Sequence, residues 1–362
     1  MKVLHVTGAK IWGGNEQQLF NLVTNLKKNG LQNYIFGVQG SKIKKAFDQH
    51  DISFECATNE KLKSLKNTTS FQNYIKHINP DVIHLHTSDA LTLAYYTSFF
   101  YRFNARIVFE KKGIGRSSSF LSRLKYNFSQ LDQIICVSDY VKAEFKKMLS
   151  VKNQAKLCVI HDSFNTDFGN FPRDFKPPFD TSIFTVGNIA NHSSAKDLDT
   201  LISVADLLVN QQEIKGIQFV QLGGFSKLTP AYQERIKALE LEAYFHFIGQ
   251  YDQAYLLYQY FDIFLLTSER EGGPTSLLEA FYFKTKVVST RVGISEILIK
   301  NGENGYLADV KAIDKLASSV LEIYKNSTLF DPVLESNKEF ILQHFTSERQ
   351  ANEVIGIYRS LL

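Results

Sequence analysis

The sequence predicts an α/β protein built from two doubly wound domains, each a parallel sheet covered by helices. Short apolar strands alternate with amphipathic helices in both halves of the chain. A length of 362 residues exceeds what one typical core accommodates, and a proline-rich stretch interrupts the alternation near the middle. Ligands of doubly wound sheets bind at the carboxyl ends of strands, so we look for chemistry in the loops that follow strands.

The first half contains six segments that read as strands. They are KVLHVT, NYIFGV, DVIHLH, RIVFE, QIICVS and KLCVIH, with helices between them, for example over 15–29 and 139–149. The apolar run LTLAYYTSFFY (91–101) is shorter than the about 20 residues of a membrane-spanning helix, so we expect a buried helix there.

The stretch 163–180 has three prolines and no periodic apolar face, and we interpret it as an interdomain linker. The alternation then restarts with SIFTVGN, IQFVQLGG, FHFIGQ, DIFLLTS and KVVST. We therefore predict a first domain over 1–165, a linker over 166–180 and a second domain over 181–345.

Composition excludes several classes of protein. The three cysteines have no C-x-x-C spacing, which argues against a disulfide framework or a zinc site and fits a reducing cytosol. The N-terminus runs straight into an apolar strand, so we expect no signal peptide and a cytoplasmic protein. The partners that we predict include no nucleic acid.

Charge is distributed unevenly along the chain. Residues 1–165 carry 23 basic and 12 acidic residues, whereas the remainder carries 18 basic and 25 acidic residues. The basic residues cluster at Lys42, Lys44 and Lys45; Lys61, Lys63 and Lys66; Lys111, Lys112 and Arg116; Arg123 and Lys125; Lys142, Lys146 and Lys147. Such clusters attract anionic surfaces, so we expect an anionic acceptor or peripheral contact with the inner face of an anionic membrane.

The segment SEREGGPTSLLEA (268–280) is the most informative stretch for function. It ends the apolar strand DIFLLTS, turns on Gly272 and Gly273, and opens a helix with Pro274 in the expected first position. The free backbone N–H groups of such a turn suit a phosphate. Glu271 and Glu279 flank it, and carboxylates beside a phosphate site serve hydroxyls. This pattern indicates a ligand with phosphates in the middle and hydroxyl-bearing rings at each end, as in a nucleotide sugar.

Further glycines follow other strands. Gly13 and Gly14 open a helix after the first strand, Gly187 follows SIFTV, and Gly249 follows FHFI. No G-x-G-x-x-G motif is present, which weakens a dehydrogenase interpretation. Lys196 is a candidate countercharge for a diphosphate. Asp197 and Asp199 lie at a predicted helix start, where we do not expect a metal site.

These motifs resemble those of glycosyltransferase family four, a group of retaining nucleotide-sugar enzymes with the GT-B fold. The resemblance spans the chain: WGGNEQ, PDVIHLHTSDA, CVSDYVK, VGN with a later lysine, QLGG, FIGQ, TSEREGGPTSLLEA, KVVSTRVGISEIL and NGENGYL. It implies two Rossmann-like domains facing each other across a cleft, an acceptor-binding first domain and a donor-binding second domain. It also implies that the last helix, about 346–362, returns to the first domain.

The resemblance implies a role for each matching position. Glu279 holds the donor ribose, Glu271 contacts sugar hydroxyls at the reaction centre, and Lys196 neutralises the leaving phosphate. The other implied donor-binding residues are Gly272, Gly273, Pro274, Thr275, Gly14, Gly187, Asn188, Gly249 and Arg270. No metal or other cofactor is expected, since the nucleotide sugar is itself a substrate.

Two departures from the family pattern bear on the site. The family commonly has an arginine where this chain has Asn188, with the lysine five residues later, whereas Lys196 lies eight residues later. Either a longer loop still brings Lys196 to the phosphates, or Arg270 or Arg291 supplies the second charge, and we favour Arg270.

The second departure concerns the histidine that many members have after the strand RIVFE. This chain has Glu110, Lys111 and Lys112 there, and His84 and His86 end the preceding strand instead. We expect these two histidines to point to opposite faces of the sheet. We favour His86, nearer the carboxyl end of its strand, as a catalytic residue on the acceptor side.

The predicted function is retaining transfer of a hexose-type sugar from a nucleotide sugar to a hydroxyl acceptor. The acceptor expected is a growing bacterial-type surface polysaccharide, lipopolysaccharide or glycolipid. The choice among UDP, GDP and ADP donors stays open, because base recognition in this fold relies on backbone groups. Two alternatives also stay open: a nucleotide-sugar epimerase of the same fold, and a non-catalytic nucleotide-sugar-binding subunit.

Overall fold

The structure is a computed structural model that describes residues 1–115, 120–164, 175–251 and 253–362. The chain divides into two compact units, one formed by Met1–Asn165 with Phe345–Leu362 and the other by Thr166–His344. Residues 166–174 of the predicted linker and Arg116 of the basic clusters lie outside the described residues.

The first unit is built on seven parallel strands. Its elements are β1 (Lys2–Val6), α1 (Gly14–Lys28), β2 (Gln32–Gly37), α2 (Lys42–Asp48), β3 (Ser53–Cys56), α3 (Asn67–Ile78), β4 (Val82–Leu85), α4 (Ser88–Thr97), β5 (Arg106–Lys111), α5 (Phe120–Tyr126), β6 (Leu131–Cys136), α6 (Asp139–Lys146), α7 (Val151–Gln154) and β7 (Leu157–Val159). The strand order is β3-β2-β1-β4-β5-β6-β7.

The second unit is built on six parallel strands. Its elements are β8 (Phe184–Ile189), α8 (Leu198–Asp206), a π-helical turn (Leu207–Gln211), β9 (Ile217–Leu222), α9 (Thr229–Ala238), β10 (Phe245–Gly249), a 3₁₀ helix (Ala254–Tyr260), β11 (Ile263–Leu266), α10 (Thr275–Tyr282), β12 (Lys286–Thr290), α11 (Ser295–Leu298), β13 (Tyr306–Ala308), α12 (Ile313–Lys325), a 3₁₀ turn (Asp331–Val333) and α13 (Leu334–His344). The strand order is β10-β9-β8-β11-β12-β13.

The last helix, α14 (Ser347–Leu361), belongs to the first unit. It begins where the Thr346 hydroxyl accepts a hydrogen bond from the backbone N–H of Arg349, an N-cap that this residue type favours. Its apolar face buries Val354 and Tyr358 in one cluster with Leu22 and Leu26 of α1. The chain therefore ends in the core of the unit in which it begins.

The predicted fold class is confirmed. All strands within each sheet pair in parallel, with helices between successive strands. Sequence reasoning missed β3 and β13, which lie at sheet edges and have only four and three residues. Segments that short carry too little periodicity to be recognised as strands.

The apolar run 91–101 is a helix over only part of its length. Leu91, Leu93 and Ala94 are buried in α4, but the helix ends at Thr97, and Phe99 and Phe100 are 63% and 79% exposed. The expectation of a buried helix is therefore wrong for the end of this run. Among the described residues, no helix combines the length and the apolar character needed to span a bilayer.

Candidate functional site

The loops that follow β8 and β11 meet at the carboxyl edge of the second sheet. The backbone N–H of Glu269 donates to the carbonyl of Ala195 at 2.8 Å, and the Thr267 hydroxyl donates to the carbonyl of Lys196 at 3.3 Å. From the neighbouring strand β12, the Thr290 hydroxyl donates to the carbonyl of Ser268 at 2.7 Å. These contacts fix the two loops against each other and hold the residues between them in place.

Lys196 and Glu271 form an ion pair at this junction. The Nζ atom of Lys196 lies 2.5 Å from Oε1 of Glu271, and the Ser268 hydroxyl donates to the same oxygen at 2.6 Å. The side chains are 27% and 10% exposed, so the lysine is accessible to a ligand whereas the glutamate is largely shielded. The longer loop thus still brings Lys196 to the 268–280 segment.

Arg270 and Arg291 are the predicted candidates for a second positive charge, beside Lys196, at the diphosphate site. Arg291 already contacts two acidic side chains, at 3.0 Å from Glu296 and 3.4 Å from Asp309. The Nε atom of Arg270 is buried and has no hydrogen bond among the described residues, and it lies 4.0 Å from the Glu269 carboxylate. Arg291 is thus engaged in two ion pairs, whereas the Nε atom of Arg270 is buried without a hydrogen bond.

Glu279 lies one turn into α10, which begins at Thr275. Burial raises the pKa of its carboxyl to about 7, and the nearby hydroxyl of Tyr258 has the opposite, smaller influence on that pKa. The side chain is only partly exposed. Near neutral pH the Glu279 carboxyl therefore exists in both protonation states, the protonated form able to donate a hydrogen bond to a hydroxyl and the ionised form able to accept one.

The turn between β11 and α10 leads directly into the helix. Pro274 precedes the first helical residue, so the helix begins one position after the predicted start, and Pro274 supplies no side-chain cap. The N–H groups of the first turn of an α-helix have no partners within the helix. Gly272 and Gly273 are partly exposed beside them, so the backbone of this turn is open to an anion.

Gly293 is a residue of this site that sequence reasoning missed. Its φ of +58° is left-handed, and a Cβ atom there would lie 2.8 Å from Cδ of Pro274 and 2.9 Å from the carbonyl oxygen of Gly272. The loop after β12 thus packs directly on the glycine turn. The signal was present in the segment KVVSTRVGISEIL, where a glycine follows a strand end.

Substitution Gly293→Ala is expected to destabilise the second unit and displace the glycine turn. The left-handed backbone costs an alanine about 1–2 kcal/mol, and contact with the turn adds to it. Gly302→Ala is the matched control, because Gly302 has a φ of +82° with open space around it. The midpoint of thermal unfolding, Tm, should fall clearly further in Gly293→Ala than in Gly302→Ala. An equal decrease of Tm in the two variants would contradict the packing role of Gly293.

The structure does not place Gly187 and Asn188 where a ligand could reach their side-chain positions. Both lie within β8 and are buried. A Cβ at Gly187 would overlap the ring of Phe261 at 2.1 Å, so this glycine is required by packing. The Asn188 amide donates to the carbonyl of Leu265 at 2.8 Å. Packing within the second unit therefore accounts for both side-chain positions, and the donor-binding roles of Gly187 and Asn188 stay predictions.

Two other predicted glycines lie at carboxyl edges of their sheets. Gly249 ends β10 with a φ of +81°, and Gly14 is the exposed first residue of α1. Gly13 caps this helix without a side-chain hydrogen bond. Donor-binding roles for Gly249 and Gly14 stay predictions.

His86 lies in a buried network of the first unit. Its Nδ1 is 2.7 Å from Oε2 of Glu110, its Nε2 is 3.0 Å from Nδ1 of His5, and its side chain is only 4% exposed. Both ring nitrogens are thus engaged within the protein. The catalytic role of His86 stays a prediction.

The expectation that His84 and His86 point to opposite faces of the sheet is wrong. Their ring centroids are 4.1 Å apart, because residues two positions apart along an extended chain share a face. Nδ1 of His84 lies 2.7 Å from the hydroxyl of Tyr358 in α14. The nitrogens of His5, His84 and His86 lie within 4.8 Å of one another, the geometry of a candidate metal site. Hydrogen bonds nevertheless engage each ring.

The same network contains three charged groups near the carboxyl end of β5. Nζ of Lys112 lies 2.8 Å from Glu110 and 2.6 Å from Asp162. Although burial opposes it, Lys112 and the hydrogen bond with His86 hold the pKa of Glu110 well below its usual range. Burial raises the pKa of Asp162, which Lys112 counteracts. Lys112 is thus neutralised internally, in contrast to the exposed lysines of the first unit.

Asp197 and Asp199 have ordinary structural contacts. Asp197 caps α8 by accepting from Thr200, and Asp199 pairs with Arg235 at 2.8 Å. Their carboxylates therefore do not converge on one another.

Two family models match successive parts of the chain. The model for glycosyltransferase family 4 matches residues 12–168, and the model for glycosyl transferases group 1 matches residues 172–341. The two matches meet close to the boundary between the two structural units.

Two bacterial enzymes whose names specify an N-acetylglucosaminyl group are similar in sequence to this chain. N-acetyl-alpha-D-glucosaminyl L-malate synthase of Bacillus anthracis is 30% identical over 127 residues, covering 35% of this chain and 33% of that protein. Poly(ribitol-phosphate) alpha-N-acetylglucosaminyltransferase of Staphylococcus aureus is 25% identical over 177 residues, covering 48% and 35%. The matches thus span about a third of these relatives' lengths.

The structure of Anabaena HepE, solved in complex with UDP and glucose, superimposes on this chain with a TM-score of 0.85. The two sequences are 18% identical, and the match covers 99% of this chain and 100% of HepE. At this identity the likeness establishes the fold.

Proposed function

Because the chain belongs to glycosyltransferase family four, whose members have the GT-B fold, we propose that it transfers a sugar from a nucleotide-sugar donor to a hydroxyl acceptor with retention of configuration. The observation that carries this proposal is the Lys196–Glu271 ion pair beside the turn that opens α10, with Glu279 one turn into that helix. A lysine and open backbone N–H groups suit a diphosphate, and the two glutamates suit the hydroxyls on either side of it.

Each residue has a distinct part in the proposed reaction. Glu279 accepts hydrogen bonds from the ribose, and the turn at Gly272 and Gly273 contacts the diphosphate. Lys196 leaves Glu271 when the donor binds and stabilises the negative charge that develops on the departing phosphate. Glu271 then accepts hydrogen bonds from the transferred sugar. The acceptor hydroxyl attacks the anomeric carbon on the face from which the diphosphate departs, so its oxygen forms the new bond as the bond to the diphosphate breaks. The departing phosphate takes the acceptor proton, and no protein nucleophile takes part.

Retention is supported by the names of the two relatives, which both specify alpha products. UDP-N-acetylglucosamine, the usual donor of this sugar, carries it in the alpha configuration, so an alpha product means retention. We extend this stereochemistry to the present chain and propose a UDP-sugar as donor, for which the HepE complexes with UDP are further support.

The acceptor proposed is a bacterial-type surface polysaccharide, lipopolysaccharide or glycolipid. The relative from Staphylococcus aureus is named for a poly(ribitol-phosphate) acceptor, an anionic polymer. The basic first half of the chain suits an acceptor of that charge or an anionic membrane surface. Peripheral membrane contact from the cytoplasmic side is therefore part of the proposal, and sedimentation with anionic vesicles at low salt tests it.

A donor assay tests the function. The protein is incubated with UDP-, GDP- and ADP-sugars, with and without glycan acceptors, and released nucleotide and products are measured. We expect acceptor-dependent nucleotide release and an alpha-linked product by proton NMR. Conversion of the donor sugar without an acceptor would identify an epimerase instead. Tight nucleotide binding without turnover of any donor would identify a binding subunit.

Nucleotide affinity is expected to rise with pH through neutrality. The ribose hydroxyls donate to ionised Glu279, whose pKa of about 7 leaves it increasingly protonated at lower pH. Affinity should therefore fall by up to about tenfold per pH unit below that pKa. Titration calorimetry with UDP between pH 5.5 and 8.5 measures the slope.

The Glu279→Gln variant is the control for this pH dependence, because UDP phosphates also titrate below neutrality. The variant keeps the shape of the side chain but has no ionisable group. Any change of UDP affinity with pH that remains in this variant reports titration of the UDP phosphates alone. Identical slopes for Glu279→Gln and the wild type would contradict ribose binding by the Glu279 carboxylate.

A further inference from the structure

An exposed aromatic ring follows β9 at the carboxyl edge of the second sheet. Phe225 comes directly after Gly223 and Gly224, and it is 54% exposed, whereas Phe219 and Phe245 in the same unit are buried. A large exposed apolar side chain at a ligand-binding edge needs an explanation, because desolvating it on binding is favourable.

One edge of the Phe225 ring is held by its surroundings. A Cβ at Gly249 would lie 3.4 Å from Cζ of Phe225, so the ring lies beside a backbone position that has no side chain. The rings of His192 and Phe247 lie behind it, with centroid distances of 5.1 and 6.4 Å. The packed edge orients the ring and leaves part of its surface to solvent.

The loop that carries His192 is itself rigidly attached to the loop that carries Phe225. His192 is buried between Gln221 and Thr229, with both ring nitrogens at 2.8 Å from their side-chain oxygens. Its backbone N–H donates to the carbonyl of Gly224 at 2.9 Å, and the side chain of Asn191 accepts from the N–H of Gly224 at 2.7 Å. The backbone that leads into Phe225 is therefore held in place before a ligand arrives.

The same loop connects Phe225 to the charged pair. From its contact with Gly224 it runs to Ala195, whose carbonyl accepts from Glu269, and then to Lys196. In the sheet, β9 and β11 are separated only by β8, which is two strand spacings, or about 10 Å. Phe225 and the Lys196–Glu271 pair thus lie in loops at the same edge of one sheet, as a ligand with a base at one end and phosphates next to it requires.

We propose that Phe225 is the stacking platform for the nucleobase of the donor. This inference rests on the proposed function, because it names the residue that binds the third part of the ligand whose phosphates and sugars Lys196, Glu271 and Glu279 bind. Stacking on one ring accepts uracil, guanine or adenine alike, so Phe225 supplies affinity, and contacts at the edge of the base must supply the choice among them.

Calorimetric titration of the full chain with UDP, GDP, ADP and inorganic pyrophosphate tests the proposal. Phe225→Ala should weaken binding of the preferred nucleoside diphosphate by about tenfold or more and leave pyrophosphate binding unchanged. Phe225→Tyr should restore nucleotide affinity, whereas Phe225→Leu, which keeps apolar bulk without a ring, should not. The control variant Phe100→Ala removes an exposed phenylalanine of the first unit. It should change neither the affinity for the nucleoside diphosphate nor that for pyrophosphate.

The outcomes separate the two levels of inference. Equal nucleotide affinity for Phe225→Ala and the wild type would overturn the stacking role while leaving the proposed function intact. A parallel loss of pyrophosphate binding in Phe225→Ala would also overturn it, because the substitution would then disturb the phosphate site. Failure of the wild type to bind any of the three nucleotides would overturn both this inference and the proposed function.

Discussion

Replacement of Lys196 by alanine is expected to lower kcat/KM for the sugar donor by about 10²–10³-fold. In the proposed reaction the Nζ atom of Lys196 stabilises charge that develops as the diphosphate departs, and removing one such donor typically has an effect of this size. The same cation contributes to ground-state binding, so affinity for the free nucleoside diphosphate should fall as well. Steady-state kinetics and calorimetry measure the two effects separately.

The Lys311→Ala variant is the matched control for Lys196. Lys311 contacts the same loop through Glu269 at 3.4 Å, but its side chain is 62% exposed and has no contact with Glu271. Its removal should leave kinetics nearly unchanged. Thermal unfolding of both variants checks that Lys196→Ala stays folded despite leaving Glu271 without its cation. Wild-type kinetics in folded Lys196→Ala would contradict the assignment.

Replacement of Glu271 by glutamine is expected to change turnover and nucleotide binding in opposite directions. Without the carboxylate, Lys196 is released from an ion pair of 2.5 Å and a negative charge is removed from beside the phosphate site. Free UDP should therefore bind several-fold more tightly. Turnover should fall by about 10²-fold, since glutamine accepts weaker hydrogen bonds from the transferred sugar than a carboxylate does.

Glutamine keeps the length of Glu271 and can still accept the hydrogen bond of the Ser268 hydroxyl. Glu269→Gln serves as the control, because Glu269 lies two positions earlier in the same loop and pairs with Lys311 instead. The Glu269→Gln variant should keep a turnover and a UDP affinity close to those of the wild type. Weaker UDP binding by Glu271→Gln would show that Glu271 supports the phosphate site, contrary to the proposed division of roles.

Much of the second unit could be predicted because the strand, turn and helix of 262–280 each carry a local signal. Apolar residues mark β11, the glycines mark the turn, and proline marks the approach to α10. Lys196 is predicted from its charge and from its resemblance to the phosphate-binding lysine of the family. Its distance from Glu271 depends on the path of the loop after β8, which hydrogen bonds to Ala195 set and sequence spacing does not reveal.

Sequence reasoning is least informative where a side chain serves packing. Gly187 and Asn188 follow an apolar segment, as ligand-binding loop residues often do, but β8 extends through them and buries both. Only the position of Phe261 shows why residue 187 is glycine. His86 was selected for its place near a strand end, whereas its partners His5 and Glu110 come from two other strands. Hydrogen bonds between residues so far apart in sequence depend on how the strands are arranged in the folded sheet.

Gly293 and Phe225 show the opposite situation, in which residues that the motifs do not single out lie at the carboxyl edge of the second sheet. Gly293 is 14 positions beyond Glu279, yet it contacts the turn that precedes α10. Phe225 follows two glycines that suggested only a turn. In both cases the sheet order brings loops together from strands that are distant along the chain.

The central claim is that the carboxyl edge of the second sheet binds the donor, and a crystal structure of the protein with UDP tests it most directly. The account predicts phosphate oxygens within hydrogen-bonding distance of Nζ of Lys196 and of the backbone N–H groups at 272–276, with the ribose hydroxyls on Glu279. It also predicts that Lys196 has moved away from Glu271. UDP bound elsewhere, with the Lys196–Glu271 pair intact, would contradict the account.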